Sequence, residues 1–367
     1  MAAASDSPNP VATPLRVAVV GAGAFGRNHL RVYRELELAG AQVELVAVVD
    51  PREKARTAAT TQYGIPAFAS IEDCLAACKV DAASLCVPTV HHAECAQTLL
   101  TAGIDLLIEK PLAATLDEAD EIVRLVRELG RTVQVGHLER FNPAVRAVRP
   151  LLNRPMFFEV HRLSVFTPRA LDVDVVLDLM IHDLDIVLSL VDSSVRELRA
   201  VGLPVLSHKV DIANVRLEFE NGCVANFTAS RVSTERVRKM RFFQPHQYLS
   251  LDFARQDLLL IDVSAAAGLE PAQLAALVAE RQNSGLHPTH RQDDTTSGTP
   301  QHPLPAMSLC KVPIEPGEPL RLEIESFVQA VRNRTQPLVT ASDGRAALAL
   351  ALQINAAIAS HAQRTGL

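Results

Sequence analysis

The chain lacks two features that would place it in other classes of protein. It has no excess of positive charge, because 36 Lys and Arg residues are outnumbered by 42 Asp and Glu residues. No apolar run approaches the roughly 18 residues that a membrane helix requires. We therefore expect neither a nucleic-acid-binding protein nor a membrane protein. With 367 residues, 48% of them hydrophobic, the chain is long enough for about two domains with cores of their own.

Paired cysteine motifs are lacking as well. The six cysteines show no CxxC spacing and no accompanying histidine cluster, so buried free thiols are expected rather than disulfides or a metal site. Residues 1–14 have no basic start and no apolar segment, which favours a disordered tail over a signal peptide. Together these features predict a cytoplasmic protein.

A glycine-rich motif follows the first predicted strand. The run Val17–Gly26 ends in Gly21-x-Gly23-x-x-Gly26, and a helical pattern continues to Leu38. In such a unit the first glycine permits a tight turn, the second lets the backbone approach a pyrophosphate, and the third lets the helix pack on its strand. The alternative is a plain strand-to-helix corner. The strand–turn–helix context favours a dinucleotide site.

A carboxylate at the end of the second predicted strand bears on the choice of cofactor. Asp50 ends the run Val43–Asp50, where it can accept both ribose hydroxyls of adenosine and repel a 2′-phosphate. We therefore expect NAD rather than NADP, and a flavin is the weaker alternative. Asp50 also suits a helix cap before Pro51, and the nearby Arg52 leaves room for a phosphate.

The order of predicted elements indicates two domains. Strands and helices alternate through residues 15–140, which predicts a Rossmann dinucleotide-binding domain in an α/β chain. Residues 141–367 are richer in strands and predict an α+β substrate and oligomerisation domain with a largely antiparallel open sheet. Asn221-Gly222 predicts a type I′ hairpin there, because both residues tolerate positive φ. The uncovered face of this sheet is expected to meet a second subunit, giving a homodimer or homotetramer.

One segment of the second domain has almost nothing to bury. Residues 281–305 contain only Leu286 and Leu304 as aliphatic side chains, which predicts a mobile surface insertion. Its three histidines are irregularly spaced, so a metal site is the weaker interpretation. Two helices are expected to end the chain.

A lysine stands where ligands bind in doubly wound folds. Glu109-Lys110-Pro111 follows the predicted strand 104–108 at the carboxyl edge of the parallel sheet. The acid before the lysine can tune its pKa, and the rigid proline after it fixes its backbone. We also expect a cis bond before Pro111. A surface salt bridge at the end of the strand is the plain alternative.

A stripe of polar residues follows one apolar helix, predicted over 173–191. Asp174, Asp178, His182 and Asp185 recur at spacings of four, four and three, so they share one face of the helix. The stripe carries no lysine or arginine, unlike an ordinary solvent-facing surface. A carboxylate one turn before a histidine can orient the imidazole and raise its pKa, as a general base needs.

Five short motifs follow one another along nearly the whole chain. They are Gly21-x-Gly23-x-x-Gly26, Val87-Pro88-Thr89-x-x-His92, Glu109-Lys110-Pro111, Gly136-x-x-x-Arg140-Phe141-Asn142-Pro143 and Asp178-x-x-x-His182. In this order and spacing the chain resembles the Gfo/Idh/MocA oxidoreductases. The resemblance implies a Rossmann domain, a second domain that makes subunit contacts, and oxidation or reduction of sugar and cyclitol hydroxyls with NAD(P).

The resemblance also implies roles for single residues. Lys110 would hydrogen-bond the reacting hydroxyl, His182 would take or return its proton, and Asp178 would hold the substrate or the imidazole. Met180 departs from the glycine of many relatives and is expected to narrow the sugar pocket. The implied substrate-binding residues are Arg140, Asn142, Asp178 and His182. The implied cofactor-binding residues are Gly21, Gly23, Ala24, Phe25, Gly26, Asp50, Pro88, Thr89, His92, Glu109 and Lys110.

Two segments, GHLERFNPA from Gly136 and DLMIHDLDIV from Asp178, are most similar to one branch of the family. That branch oxidises the 3-hydroxyl of the nucleotide sugar UDP-N-acetylglucosamine, and a PLP aminotransferase then makes the 3-amino sugar of lipid A. A diphosphate needs basic groups, and the available ones are Arg162, Arg169, Arg231 and Arg236. Two alternatives stay open, a dehydrogenase of a free sugar or inositol-type cyclitol and a non-catalytic NAD-binding regulator.

Overall fold

The computed structural model describes residues 13–167, 173–270, 272–273, 275–276 and 308–366. The expected insertion at 281–305, most of the expected tail and Arg169 lie outside these residues. The chain divides into two compact units. The first ends at His137 and regains Leu320–Arg345, and the second comprises Leu138–Pro319 and Ala346–Leu367.

Fourteen strands and nine helices are named here within the described ranges. The strands are β1 (Leu15–Val20), β2 (Val43–Val49), β3 (Ala67–Phe68), β4 (Ala82–Leu85), β5 (Asp105–Glu109), β6 (Val133–Gly136), β7 (Phe157–Val165), β8 (Val195–Leu203), β9 (Ile212–Phe219), β10 (Val224–Ser233), β11 (Val237–Gln244), β12 (Gln247–Asp252), β13 (Asp257–Asp262) and β14 (Ser308–Lys311). The helices are α1 (Ala24–Leu38), α2 (Glu53–Tyr63), α3 (Ile71–Ala77), α4 (His92–Thr101), α5 (Leu116–Leu129), α6 (Pro143–Val148), α7 (Ile181–Leu190), α8 (Pro319–Asn333) and α9 (Ala341–Thr365).

The first unit is built on a six-stranded parallel sheet in the order β3-β2-β1-β4-β5-β6. The strand order reverses between β1 and β4, which leaves a crevice at their carboxyl ends. Strand β1 is buried almost throughout, as its continuous apolar run predicts for a central parallel strand. The expected Rossmann-type domain is confirmed.

Helix α8 belongs to the first unit, although residues 320–345 were expected in the second domain. Ile324, Phe327 and Val331 are buried in one core with Tyr33 of α1. Their spacing of three and four places them on one face of the helix, which fills the space beside the parallel sheet. The order of the predicted elements did not indicate that the chain returns to the first unit at this helix.

The second unit is built on an eight-stranded mixed sheet in the order β14-β13-β12-β11-β7-β10-β9-β8. Only β7 and β10 pair in parallel, and the other neighbours are antiparallel. Val215, Leu217 and Phe219 of β9 are buried on the inner face, and they share a core with Ile354 of α9. The expected, largely antiparallel second domain is confirmed.

The hairpin between β9 and β10 forms at the expected place, but its turn is not type I′. Only Gly222 has positive φ, at 82°. Asn221 instead accepts a hydrogen bond from the Cys223 backbone N–H through its side chain, at 3.0 Å. The side-chain bond stabilises the turn without the left-handed conformation that a type I′ turn requires at both positions.

The cysteines are all unpaired thiols, and fewer are buried than expected. Cys74 and Cys223 are buried, and the other four are half-buried. Among the residues placed by the structure, no helix is long and apolar enough to cross a membrane.

Candidate active site

The glycine loop of the first unit requires glycine at two positions for steric reasons. Gly21 has φ of 94°, and a Cβ there would lie 2.6 Å from the carbonyl oxygen of Cys86. A Cβ on Gly26 would lie 1.8 Å from the carbonyl oxygen of Gly21. The loop and the start of α1 are therefore held against each other too tightly for any side chain.

The N-terminus of α1 is suited to an anion. Gly23 precedes the helix and provides no side-chain cap, and the first turn carries no acidic residue. By contrast, Thr115 and Glu118 form a capping box on α5. Ala24 and Phe25 are exposed at the open end of α1. Its unpaired N–H groups and the helix dipole therefore face solvent where a pyrophosphate would bind.

A groove of about 1000 Å³ lies beside this helix end. It is lined by Gly21, Gly23, Asp50 and Pro88 at the carboxyl ends of the strands, together with His91. The glycine backbone, the acid at the rim and the volume fit a dinucleotide. The exposed His91, rather than the expected His92, lines the groove.

Asp50 is more heavily bonded than its position in the sequence indicates. Its Oδ2 accepts from the Ala22 backbone N–H and from Arg52 Nη2, each at 2.9 Å, and its Oδ1 accepts from Arg52 Nε at 3.0 Å. Burial opposes ionisation, but these donors lower the pKa of Asp50. The Arg52 side chain is 65% exposed, so it is free to withdraw when ribose hydroxyls compete for the carboxylate.

His92 lies behind the groove instead of in it. It is 1% exposed, and its ring nitrogens lie 3.0 Å from the carbonyl oxygens of Pro111 and Val87. Burial lowers the pKa of His92, and the carbonyls only partly oppose this. The ring therefore links the segment after Lys110 to the segment before Thr89, which is a positioning role rather than contact with the cofactor.

Lys110 follows the end of β5, and its backbone is held by buried neighbours. The Lys110–Pro111 bond is cis, as expected. Glu109 Oε1 lies 2.9 Å from His29 Nε2, and a Cβ on Gly136 would lie 2.9 Å from the Glu109 carboxyl carbon. Glu109 is therefore held between α1 and β6, and its carboxylate points into the interior of the first unit rather than toward the groove.

The predicted catalytic helix of the second unit is interrupted. Val176–Met180 forms a π-helical turn before α7 begins, and the Ile181 N–H bonds to the Val176 carbonyl. Asp178 lies within this turn and His182 in the first turn of α7, both half-buried. A π turn redirects side chains relative to an α-helix and is frequent at functional sites.

The rest of the polar stripe has structural partners. Asp174 accepts from the Val210 backbone N–H at 3.1 Å, and the buried Asp185 accepts from Arg140 at 3.4 Å. These bonds assign Asp174 and Asp185 to anchoring the segment. The π turn has broken the single face predicted from α-helical spacing, and Asp178 and His182, like Asp174, are half-buried.

A buried ion network lies under α7. Arg162 donates to Asp183 through two nitrogens, at 2.7 and 2.8 Å, and to Glu139 at 3.0 Å. All three residues are at least 94% buried. Burial opposes its charge, but the two carboxylates raise the pKa of Arg162. Arg162 is therefore committed to holding the helix and is not free to bind a diphosphate.

The surroundings of Arg231, Asn142 and Met180 differ from those expected from the sequence. Arg231 is 4% exposed and donates to the Val173 carbonyl, so it too supports the catalytic segment. Asn142 caps α6 and donates to the Phe253 carbonyl at 3.0 Å. Met180 is fully buried in the core of the second unit. Of the four arginines considered for a diphosphate, Arg236 alone among the described ones is exposed.

The sequence did not indicate His29 as part of the site, and it did not indicate Arg52 as the partner of Asp50. His29 lies three residues after Gly26 on the face of α1 that packs on the sheet, and that spacing was a usable signal. Arg52 was noticed only as a possible phosphate ligand. Its bond to Asp50 depends on a turn of the backbone that the sequence pattern does not reveal.

The chain belongs to the GFO/IDH/MocA oxidoreductases. Residues 15–137 match the model of an oxidoreductase family with an NAD-binding Rossmann fold, and residues 125–244 match the GFO/IDH/MocA C-terminal domain. The protein is an NAD-dependent oxidoreductase.

Two relatives, and one solved structure that shares only the fold, match almost the whole chain. UDP-N-acetylglucosamine 3-dehydrogenase from Acidithiobacillus ferrooxidans is 32% identical over 351 residues, which cover 95% of this chain and 99% of that protein. Its solved structure matches with a TM-score of 0.78, covering 94% and 97% of the two chains at 31% identity. Inositol 2-dehydrogenase from Rhizobium meliloti is 25% identical over 95% of this chain and 98% of its own length. An Agrobacterium radiobacter oxidoreductase, 15% identical with a TM-score of 0.76 and coverage of 95% and 97%, shares the fold.

We expect NAD to be preferred over NADP, with Arg52 weakening the preference. Asp50→Asn removes the charge that repels a 2′-phosphate but keeps an acceptor for Ala22, so the ratio of kcat/KM for the two cofactors should fall about tenfold, or 1.4 kcal/mol. Arg52→Gln exposes the carboxylate and should raise the ratio by up to about fivefold, since an exposed ion pair contributes about 1 kcal/mol or less. Steady-state kinetics with both cofactors measure this. An unchanged ratio in Asp50→Asn would remove Asp50 from cofactor selection.

Proposed function

We propose that this enzyme oxidises the 3-hydroxyl of UDP-N-acetylglucosamine to a 3-keto sugar nucleotide with NAD. The observation that carries the proposal is the similarity to UDP-N-acetylglucosamine 3-dehydrogenase over 95% of the chain, which includes both compact units. The keto product would then be converted by a PLP aminotransferase to a 3-amino sugar for lipid A. A ketone formed by an unfavourable oxidation needs such a consuming step.

The proposed reaction gives each predicted catalytic residue a role. The chemistry that NAD would supply here, when bound, is acceptance of the hydride from the carbon that bears the hydroxyl. Lys110 hydrogen-bonds the hydroxyl oxygen, and His182 takes the proton, so a C–H and an O–H bond are replaced by a C=O bond. Asp178 holds the imidazole or the substrate. The α1 N-terminus holds the pyrophosphate, and Asp50 holds the adenosine ribose.

A second candidate function is the dehydrogenation of a free sugar or inositol-type cyclitol. The similarity to inositol 2-dehydrogenase over 95% of the chain favours it, although the identity is lower. The burial of Arg162 and Arg231 also removes two expected diphosphate ligands. A non-catalytic NAD-binding regulator is disfavoured, because both Lys110 and His182 are retained.

The outer face of the second-unit sheet supports a homo-oligomer. An apolar row crosses the strands at paired positions, and it consists of Val224, Phe157, Phe243, Tyr248 and Ile261. The rings of Phe243 and Tyr248 lie 5.0 Å apart, and those of Phe157 and Phe243 lie 5.7 Å apart. Phe243 is 38% exposed. We propose that the same face of a second subunit covers this row, in a dimer or tetramer.

Replacing either proposed catalytic residue should reduce turnover far more than cofactor binding. His182→Asn removes the base and should lower kcat by about 10²–10⁴, and Lys110→Met should lower it in the same direction. Steady-state kinetics and NAD titration by fluorescence separate the two effects. Exposed residues provide matched controls, His208→Asn and Lys79→Met. Near-normal kcat in either catalytic variant would refute its assignment.

The substrate is tested by a coupled reaction. We expect the protein, NAD, UDP-N-acetylglucosamine, a PLP aminotransferase and glutamate to yield a 3-amino-3-deoxy sugar nucleotide, identified by mass spectrometry and NMR. Little NADH should accumulate without the aminotransferase, because the oxidation is uphill. The reaction with His182→Asn is the control. Turnover of free inositol or a free sugar without turnover of any UDP-hexosamine would favour the second candidate function.

The oligomer is tested by mass in solution. Light scattering at micromolar concentration should give at least twice the monomer mass, and Phe243→Glu should lower it, because a charge in the apolar row is costly to bury. Leu38→Glu is the control, since Leu38 is 79% exposed on α1. A monomeric wild-type protein would contradict the proposal.

A further inference from the structure

A buried acid on α8 is unexplained by the proposed reaction. Glu323 is 0% exposed, and neither oxygen of its carboxyl group has a hydrogen-bond partner among the described residues. The Glu323 backbone carbonyl accepts from Gln134 Nε2 at 2.9 Å, which fixes this part of α8 against β6. Acidic side chains are normally exposed to solvent, but this one is enclosed in the interior of the first unit.

The charged group that acts on this acid is another acid. Glu109 of β5 acts on Glu323 as a like charge, and the Glu109 carboxylate already bonds to His29. No lysine or arginine pairs with Glu323 within the described ranges. An unpaired carboxylate in an apolar interior costs several kcal/mol, so such a group takes up a proton instead. Two neighbouring acids without a cation between them then retain one negative charge.

The other groups facing the acid cannot supply a positive charge. Burial, reinforced by Glu109, raises the pKa of the Glu323 carboxyl well above its ordinary value. Burial, Glu109 and Glu323 raise the pKa of the Cys86 thiol. Burial also raises the pKa of Tyr33, against the hydrogen bond to its neighbour Ser84. The thiol and the phenol are therefore neutral.

We propose that Glu323 is a protonated carboxylic acid and a positioning residue, which keeps a carboxylate charge out of the interior beside Glu109, the residue directly before Lys110. The Glu109 carboxyl group is itself held in place, because its Oε1 lies 2.9 Å from His29 Nε2 and Gly136 lies against its carboxyl carbon. The part of the proposal that concerns catalysis rests on the proposed function of Lys110. If Glu323 ionises, a carboxylate charge enters the interior of the first unit beside Glu109, and activity falls.

The protonation state is tested without any substrate. Near neutral pH, infrared difference spectra between wild type and Glu323→Gln should show the C=O band of a protonated carboxylic acid. The folded protein holds a proton that the unfolded chain releases, so this group makes the protein less stable as pH rises between the unfolded and folded pKa values. Glu323→Gln cannot titrate, and its Tm relative to wild type should rise with pH. No acid band, together with parallel Tm curves, overturns the proposal.

Glu325→Gln is the matched control, because Glu325 lies on the same helix but is half-exposed and paired with Arg321. It should leave both the acid band and the pH dependence of Tm as in wild type.

The link to Lys110 is tested by the pH profile of kcat. Glu323→Gln should remain active on the alkaline side where wild type and Glu325→Gln lose activity, by about tenfold for each pH unit of displacement. Identical profiles overturn the positioning role. If no UDP-sugar is turned over, the pH dependence of Lys110 acylation, followed by peptide mass spectrometry, provides the comparison. A wrong substrate is thus distinguished from a wrong role for Glu323.

Discussion

Burial of carboxyl groups beside the reactive segments is the constraint on which both units depend. A carboxylate removed from water needs a cation, several N–H donors or a proton. The second unit uses a cation, because Arg162 donates to both Asp183 and Glu139. In the first unit Asp50 has backbone and arginine donors. Glu323 has neither and requires a proton.

These arrangements determine how firmly the reactive groups are held. Arg162 of β7 donates to Asp183 of α7, the residue after His182. The histidine therefore lies on a segment that the ion network holds in place. Removing one member of such a network leaves a charge buried and costs about 3–5 kcal/mol. The π turn at Val176–Met180 is the irregular part of that segment, and the ion network fixes the regular helix that follows it.

Several motif residues have polar atoms engaged by other groups of the protein. The ring nitrogens of His92 each lie 3.0 Å from a backbone carbonyl oxygen, and Asn142 caps a helix and donates to a carbonyl. Arg140 bonds to Asp185. Motif spacing locates such residues near the chemistry, but it does not give the direction of a side chain. Direction depends on which polar groups remain to be satisfied once the strands and helices have packed.

The sequence by itself determined the Rossmann-type unit, the NAD cofactor and the mostly antiparallel second sheet, because glycine spacing and the order of strands and helices are local properties of the chain. It also indicated Lys110 and His182 as reactive groups. Only the tertiary structure decided that α8 returns to the first unit and that Met180 is buried. It alone placed Arg52 on Asp50 and brought Glu323, from a distant helix, beside Glu109. These are contacts between residues far apart or around a particular turn, and they follow from packing and charge compensation rather than from local pattern.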